Sequence, residues 1–150
     1  MIKISKLSDY ATVILSMLAQ TPMQRVSANQ IAEGTQLPIP TVSKVLKLLN
    51  EAKLVSSTRG TNGGYTLCRC PTLISVAEII HAIEGELAMT ECSKEALSCS
   101  RNEFCGLRHN WQYINYMMVM LLQQLSLADM NQPLNKVVCV RLVEDTLNEP

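Results

Sequence analysis

Three cysteines in one short stretch are the residues of this chain best suited to chemistry. Cys92, Cys99 and Cys105 fall within fourteen residues of each other. Thiolates are soft ligands that suit iron-sulfur clusters and zinc. The C-x6-C and C-x5-C spacings lack the close C-x2-C pairs of common zinc ribbons, so zinc is the less favoured metal. Because thiolates spaced this widely need a loop that wraps around the metal centre, we expect an iron-sulfur site in a loop.

Three thiolates leave one ligand position of a cluster to a different residue. His109, four residues after Cys105, is the local candidate, and Asp9 and Glu103 are acidic alternatives, Asp9 from this chain or from a partner subunit. The competing interpretations are a surface histidine at a helix N-terminus and an ordinary first-turn acid. The other cysteines are interpreted as small buried or strand residues rather than ligands: Cys68, Cys70 and Cys139.

The composition of the chain excludes several classes of protein. Its 150 residues allow one buried core, or a small domain with a helical extension, but not two large domains. The N-terminus lacks the pattern of an export signal, and no stretch approaches the roughly twenty apolar residues of a membrane span. We therefore expect a cytoplasmic protein whose grouped cysteines bind metal or sense redox state.

The net charge of zero hides an uneven distribution along the chain. Residues 1–70 carry eight Lys or Arg and three Asp or Glu, whereas residues 71–150 carry five and ten, which gives charges of +5 and −5. A basic N-terminal part is typical of proteins that bind a polyanion. Uneven solvated surface charge is the alternative when charge is considered alone.

Helix signals in the basic part predict a helix-turn-helix. Apolar residues at helical spacing predict a first helix over about residues 8–19. Ser27 and Gln30 have the form of a capping box that begins a short second helix, which Gly34 is expected to end. Pro38 and Pro40 suit the start of a third helix that runs to about residue 52. Two small helices joined by a short turn are typical of this DNA-binding motif.

The third predicted helix has an apolar face and a polar face. Its apolar residues recur at the helical period, which turns Lys44 and Lys47 outward and leaves Thr41 and Ser43 at the flanks. Lysine neutralises phosphate or donates to guanine, and short hydroxyls reach the DNA backbone or base edges. An ordinary solvated helix face is the competing interpretation.

A glycine-rich turn follows, between two β-prone runs at residues 55–58 and 65–68. Its glycines permit positive φ and close backbone approach, and Arg59 at the tip suits a narrow minor groove or a phosphate. Such a hairpin directly after a helix-turn-helix indicates a wing. The expected DNA contacts are Ser27, Thr41, Ser43, Lys44, Lys47, Arg59, Gly60 and Gly63.

The acidic part begins with a second capping box, Ser75 and Glu78, which opens a helix that Gly85 closes. The cysteine-bearing residues 88–107 have no sustained period and read as a loop. An apolar stripe then predicts a long helix over residues 108–128, with more apolar surface than a small domain covers. Dimerisation along this helix is the expectation, with packing against the first helix as the alternative. The expected dimer residues are Trp111, Ile114, Met118, Leu121 and Leu125.

The predicted fold class is therefore mainly α. A winged helix-turn-helix DNA-binding domain occupies residues 1–84, a cluster-binding loop 85–107, a dimerisation helix 108–128 and a C-terminal tail 129–150. Twofold symmetry would place two recognition helices on a pseudo-palindromic site.

These patterns together resemble the Rrf2 family of bacterial winged-helix transcription regulators, which includes IscR-like iron-sulfur regulators and nitric-oxide-sensing repressors. The resemblance spans roughly residues 1–128, and its marks are the cysteine trio and the runs LSDYA (7–11), PTVSKVLK (40–47), LVSS (54–57), RG (59–60), GGY (63–65) and ISVAEII (74–80). The runs SKLSDYATV (5–13), LAMTEC (87–92) and NWQYIN (110–115) look like the subgroup that regulates the SUF operon for iron-sulfur cluster assembly.

The resemblance implies a homodimeric repressor, not an enzyme, that senses an iron-sulfur cluster and binds a double-stranded DNA operator. Residues matching Cys92, Cys99 and Cys105 hold the cluster in the family, completed by a histidine after the third cysteine or by an acid in helix one. His109 stands one residue further from Cys105 than IscR-type spacing, which favours Asp9. The expected cofactor is a [2Fe-2S] cluster, with [4Fe-4S] as the alternative.

Two other functions are compatible with parts of the pattern. A cluster-free winged-helix regulator would respond to thiol oxidation or to a partner protein, with the cysteine trio as redox thiols. An iron-sulfur electron-transfer or carrier protein would need the cysteines but would not need Lys44, Lys47 and Arg59 on one face.

Overall fold

The computed structural model describes residues 3–60, 62–93 and 105–134. In these ranges the chain forms six α-helices and one two-stranded sheet. None of the helices there combines the length and hydropathy that a membrane crossing requires. The elements in chain order are α1 (Lys6–Gln20), α2 (Ala28–Thr35), α3 (Ile39–Glu51), β1 (Val55–Thr58), β2 (Gly64–Leu67), α4 (Val76–Glu84), α5 (Arg108–Gln124) and α6 (Leu127–Met130).

The helix-turn-helix begins as the sequence predicts. The Ser27 hydroxyl accepts from the Gln30 N–H, and the Gln30 side chain accepts from the Ser27 N–H, so the capping box of α2 is complete. Pro38 caps α3 without a side-chain hydrogen bond, a position where no backbone N–H is needed. The predicted end of α2 was wrong: Gln36, not Gly34, adopts the left-handed conformation that closes the helix.

Gly34 lies inside α2 for a packing reason. A Cβ atom at this position would stand 2.6 Å from Cε of Met17 on α1. A larger residue here would require the end of the Met17 side chain to move, so the glycine accommodates this contact and does not end the helix.

The hydrophobic core lies where α1, α2, α3 and α4 meet. Burying these apolar side chains removes them from water, which is the main driving force for assembling the helices. The side chains that are less than 2% exposed include Ile14, Leu15, Leu18, Ile31, Val42, Val45, Leu46, Leu49, Leu54, Ile74, Ile79 and Leu127.

The predicted hairpin is confirmed as an antiparallel pair. Val55 lies opposite Leu67, and Thr58 lies opposite Gly64. The strand ends at Leu67, so the prediction for the next two cysteines was wrong: Cys68 and Cys70 are both exposed and neither lies in a strand. Cys139 lies outside the described residues.

The long helix of the acidic part is shorter than predicted. It ends at Gln124, and Leu125 is extended because Ser126 and Asp129 form a third capping box that begins α6. The Val76 N–H donates to the Leu125 carbonyl, and the Leu127 N–H donates to the Ile74 carbonyl, both at 2.8 Å. Leu127 is fully buried in the core, so residues 1–84 share their core with the chain that follows α5.

Leu127→Ala should therefore destabilise the whole protein. We expect a loss of about 2–5 kcal/mol in the free energy of unfolding, because the substitution removes a buried side chain and leaves a cavity. Met130→Ala on the same short helix is the matched control: Met130 is 42% exposed, and a change of about 0.5 kcal/mol or less is expected there. Urea unfolding measures both, and equal midpoints for the two variants would contradict the shared core.

Candidate DNA-binding surface and cysteine site

Helix α3 presents the polar face that the sequence predicts. Ser43, Lys44 and Lys47 are exposed and Thr41 is half-buried, while the apolar side chains between them point into the core. Nζ of Lys47 lies 4.0 Å from a carboxylate oxygen of Glu51, and both side chains are largely exposed. An exposed pair of this kind contributes little and exchanges readily, so Lys47 remains available for a phosphate.

The two wing glycines are needed for different reasons. Gly60 adopts φ +114°, a conformation that side chains rarely allow. At Gly63 a Cβ atom would stand 2.3 Å from the Thr58 carbonyl oxygen, so the constraint there is close backbone approach. The Gly63 N–H donates to the Gly60 carbonyl at 2.9 Å and closes the turn. This turn leaves Arg59 fully on the surface, beside the start of the wing.

Ser27 has a structural role that its assignment as a DNA contact did not include. Its N–H donates to Oε1 of Gln30 at 2.9 Å, and its hydroxyl accepts from the Gln30 N–H at 3.3 Å. The side chain therefore caps the N-terminus of α2. Contact with DNA at Ser27, and at the other seven predicted positions, stays a prediction.

The cysteine site is described only in part. Cys105 is half-buried immediately before α5, His109 is exposed in the first turn of α5, and Asp9 is exposed near the start of α1. The backbone of Cys92 belongs to a short 3-10 turn, Glu91–Ser93, but its side chain lies outside the description, as do Cys99 and Glu103. Within the described ranges, no three His, Cys, Asp or Glu side chains group as metal ligands. The ligand set therefore stays a prediction.

The backbone nevertheless brings two of the cysteine segments to one end of α5. Oγ of Ser93 donates to the Trp111 carbonyl at 3.3 Å, and the Arg108 N–H donates to the Cys105 carbonyl at 3.2 Å. The turn that contains Cys92 thus lies beside the first turns of α5. This helix begins at Arg108, shortly after Cys105 in the chain.

One buried polar atom at this end of α5 fits an anionic group. Nε of Arg108 is buried and has no hydrogen-bond partner among the described residues. A buried donor without a partner is costly, and a cationic donor is suited to thiolate or sulfide. The thiol of Cys105, three residues before Arg108, is a soft sulfur donor, and a thiol together with a guanidinium suits an iron-sulfur cluster.

The apolar stripe of α5 is not covered by the part of the chain that the structure describes. Helix α5 packs on α4 and on the Glu91–Ser93 turn, but none of its residues is buried. Trp111 and Ile114 are each 37% exposed, and Met118 and Leu121 are half-buried. Leu125, expected in the same stripe, lies beyond the helix end.

A carboxylate that sequence reasoning missed joins α4 to α1. Oε1 of Glu84, the last residue of α4, accepts from the hydroxyl of Ser8 and, at 3.0 Å, from the Ser5 N–H. The Ser8 hydroxyl, followed by the Ser5 N–H, holds the pKa of Glu84 below its usual range. Ser8 is 1% exposed on an otherwise apolar helix face, and a buried hydroxyl needs such a partner.

Most of the chain matches the model of one protein family. The model of the Rrf2 family, described as an iron-dependent transcriptional regulator, matches residues 4–133. The chain belongs to the Rrf2 family.

Individual relatives extend this match. The protein rrf2 of Nitratidesulfovibrio vulgaris is 30% identical over 129 residues, which is 85% of this chain and 86% of the relative. The structure of T. potens IscR is 31% identical with a TM-score of 0.65, covering 86% of this chain and 85% of that one. The structure of CymR, the global cysteine regulator of B. subtilis, is 26% identical with a TM-score of 0.68, covering 87% and 97%.

Membership in the Rrf2 family confirms two predictions. The mainly helical winged-helix fold is that of the IscR and CymR structures, and the protein is a DNA-binding transcriptional regulator, as its relatives are. The family contains both IscR and CymR, so membership alone does not establish that the protein binds a cluster, forms a dimer or controls the SUF operon.

The link between Glu84 and α1 should make the stability of this Rrf2 protein depend on pH. The lowered pKa means that the folded state favours the carboxylate, so its contribution is present above the ordinary value of 4.5 and is lost as the pH falls through the lower folded-state value. Glu84→Gln should lower the melting temperature at pH 7 and converge with wild type once the pH falls below the lowered folded-state pKa of Glu84. Glu33→Gln, exposed on α2, is the matched control; a constant difference between Glu84→Gln and wild type from pH 7 to pH 3 would rule out the charge as the cause.

Proposed function

We propose that this protein is a homodimeric repressor that senses an iron-sulfur cluster and controls the SUF genes for iron-sulfur cluster assembly. It would act on operator DNA in the cytoplasm. The observation that carries the proposal is the position of the turn containing Cys92, which lies against the first turn of α5, the helix that follows Cys105, in a winged-helix regulator.

The DNA-binding half of the proposal is supported by the surface of α3 and the wing. Lys44 and Lys47 on α3 and Arg59 on the wing are exposed cations in the basic part of the chain. Lysines suit phosphates, and an arginine on a glycine-rich tip suits a narrow minor groove. A recognition helix in the major groove with the wing beside it uses both.

The cluster-sensing half is supported by the donors at the start of α5. Cys105 would ligate the cluster together with Cys92 and Cys99, and the choice between Asp9 and His109 for the fourth position stays open. The buried Nε of Arg108 would donate to this anionic site. When bound, an iron-sulfur cluster supplies a centre that is lost or altered when iron, sulfide or oxidants change. Ligation would fix residues 92–105 against α5 and so bias the separation of the recognition helices.

The dimer is supported by the uncovered stripe on α5. An apolar helix face that no other described element of its own chain covers is typical of an interface between subunits. Pairing through Trp111, Ile114, Met118 and Leu121 would be isologous. It would present two α3 helices to the half-sites of a pseudo-palindromic operator.

A second candidate, a cluster-free thiol-responsive regulator, has one observation in its favour. The Thr72 hydroxyl donates to Sγ of Cys70 at 3.2 Å, and this bond, followed by the Thr72 backbone, lowers the pKa of the exposed Cys70 thiol. An exposed thiol with a lowered pKa reacts more readily with oxidants. The likeness to CymR is compatible with this alternative, whereas membership in a family of transcription regulators disfavours an electron carrier.

Substitution of the surface cations tests the DNA contact. Lys44→Ala and Arg59→Ala should each weaken operator binding, and the slope of log K against log salt should decrease by about 0.9 for each phosphate that the variant no longer neutralises. Fluorescence anisotropy over a salt series measures both quantities. Lys6→Ala is the matched control, because Lys6 is an exposed cation beside Met130 rather than beside α3 or the wing. A salt slope that falls equally in the control would place the DNA elsewhere.

Substitution of two cysteines tests the cluster. Cys92→Ala combined with Cys105→Ala should give a colourless protein after anaerobic purification, with its winged helix folded, because two of the three thiolate ligands are gone. Cys68→Ser combined with Cys70→Ser, the exposed pair, should keep the visible spectrum and the iron and sulfide content.

The same samples separate the two candidate functions. Operator affinity that changes when the wild-type cluster is removed supports the sensor and gives the direction of its response. A colourless wild-type protein whose operator affinity changes on peroxide treatment, but not in the Cys68→Ser and Cys70→Ser variant, would replace it with the thiol-responsive regulator.

A further inference from the structure

Asn115, in the middle of α5, makes two reciprocal hydrogen bonds to the segment that leads into the cysteine loop. Its Oδ1 accepts from the Met89 N–H at 2.9 Å, and its Nδ2 donates to the Leu87 carbonyl at 3.0 Å. A backbone N–H only donates and a carbonyl only accepts, so these partners determine which way the side-chain amide points. One side chain thereby pairs with the backbone on both sides of residue 88.

The same segment is fastened again one helical turn earlier on α5. Ser93 donates to the Trp111 carbonyl, and the hydroxyls of Thr90 and Ser93 lie 2.8 Å apart. Residues 111 and 115 are four apart and so share one face of the helix. The chain from Leu87 to Ser93 therefore runs antiparallel to α5, toward the end where Cys105 stands.

The beginning of the segment is tied to the DNA-binding helices. Glu84 holds the end of α4 to the start of α1, and Gly85, with φ +79°, turns the chain away from α4. Residues 86–90 are thus attached through Glu84 to the winged helix on one side and through Asn115 to α5 on the other.

Apolar side chains along this segment are only partly buried. An open groove of about 330 Å³ lies along the segment, with Leu87, Met89, Met118 and Leu122 among its lining residues. A loosely filled groove specifies position less well than directional hydrogen bonds. The two bonds of Asn115, together with the bond from Ser93 to Trp111, are accordingly the directional contacts that define where the segment lies along α5.

We infer that Asn115 is a positioning residue, which holds the turn that contains Cys92 at the start of α5 before any cluster binds. This inference rests on the proposed cluster-binding function. A ligand-bearing segment that is already in place loses less conformational entropy on ligation, so the protein retains its cluster longer. Asn115 does this without being a ligand itself.

The two hydrogen bonds of Asn115 to residues 87 and 89 are called the Asn115 anchor. Hydrogen exchange in the cluster-free protein tests this anchor directly. The Met89 amide donates to Asn115, so its exchange should accelerate about tenfold in Asn115→Leu, the size expected for loss of a partly buried hydrogen bond. Asn115→Asp keeps the acceptor for Met89 but loses the donor to Leu87, and should give an intermediate rate. Asn110→Leu, at an exposed position on the same helix, is the matched control and should leave the rate unchanged.

Iron release from reconstituted protein to a chelator, under anaerobic conditions, tests the consequence. Asn115→Leu should release iron several-fold faster than wild type and Asn110→Leu at the wild-type rate, with Asn115→Asp between them. Operator affinity of the cluster-free variants should stay within about twofold of wild type, because the winged helix does not depend on Asn115.

Three results would overturn the inference. Unchanged Met89 exchange in Asn115→Leu would mean that the anchor does not hold the segment. Faster exchange with a wild-type rate of iron release would give Asn115 a role in local stability only. Wild-type protein that takes up no cluster would remove the proposed function and the cluster role of Asn115 together, while the exchange data from the same protein would still show whether the anchor exists.

Discussion

The burial of Leu127 is the interaction on which the arrangement of this protein depends. After α5 the chain returns to the winged helix, where Leu127 enters the core and two backbone hydrogen bonds join residues 125 and 127 to residues 74 and 76. The chain before α4 and the chain after α5 are therefore joined to each other and to the core of the DNA-binding helices. Without this return, the C-terminal end of α5 would lose its attachment to the core, and only contacts such as the packing of α5 on α4 would position it relative to α3.

Polar groups also stabilise the junction between the chain that begins α4 and the chain that follows α5. Ser75 with Glu78 and Ser126 with Asp129 form capping boxes at the points where the two stretches of chain meet, and Ser75 and Ser126 pair as an isolated bridge. Burial alone would raise the pKa of Glu78, but hydrogen bonds from Ser75 and the guanidinium of Arg69 hold it below its usual value. Hydrogen bonds satisfied in this way give the junction a specific geometry, which apolar contact alone does not provide.

This geometry gives the proposed sensor a physical route between its two halves. The proposed DNA surface of α3 and the wing lies on the winged helix, whereas Cys105 and the turn that contains Cys92 lie at the start of α5. Among the described residues, the connections between them include the α4 helix, the Glu84 link to α1, the Asn115 anchor and the Leu127 contact. In the proposed sensor, cluster ligation would act on the winged helix through these contacts, which are the kind of connected elements that coupling between sites requires.

The features that depend on near neighbours along the chain could be predicted from the residues alone. The capping boxes at Ser27 and Ser75, the buried and exposed faces of α3 and the wing hairpin all follow from local hydrogen bonds or from periodicity, and the structure confirms them. Tertiary structure alone decided the rest. Gly34 faces Met17 of another helix, Leu127 belongs to a distant core, and Glu84 and Asn115 meet partners 76 and 26 residues away. Such partners leave no periodic signal, because only folding brings them within the few ångströms over which packing and hydrogen bonds act.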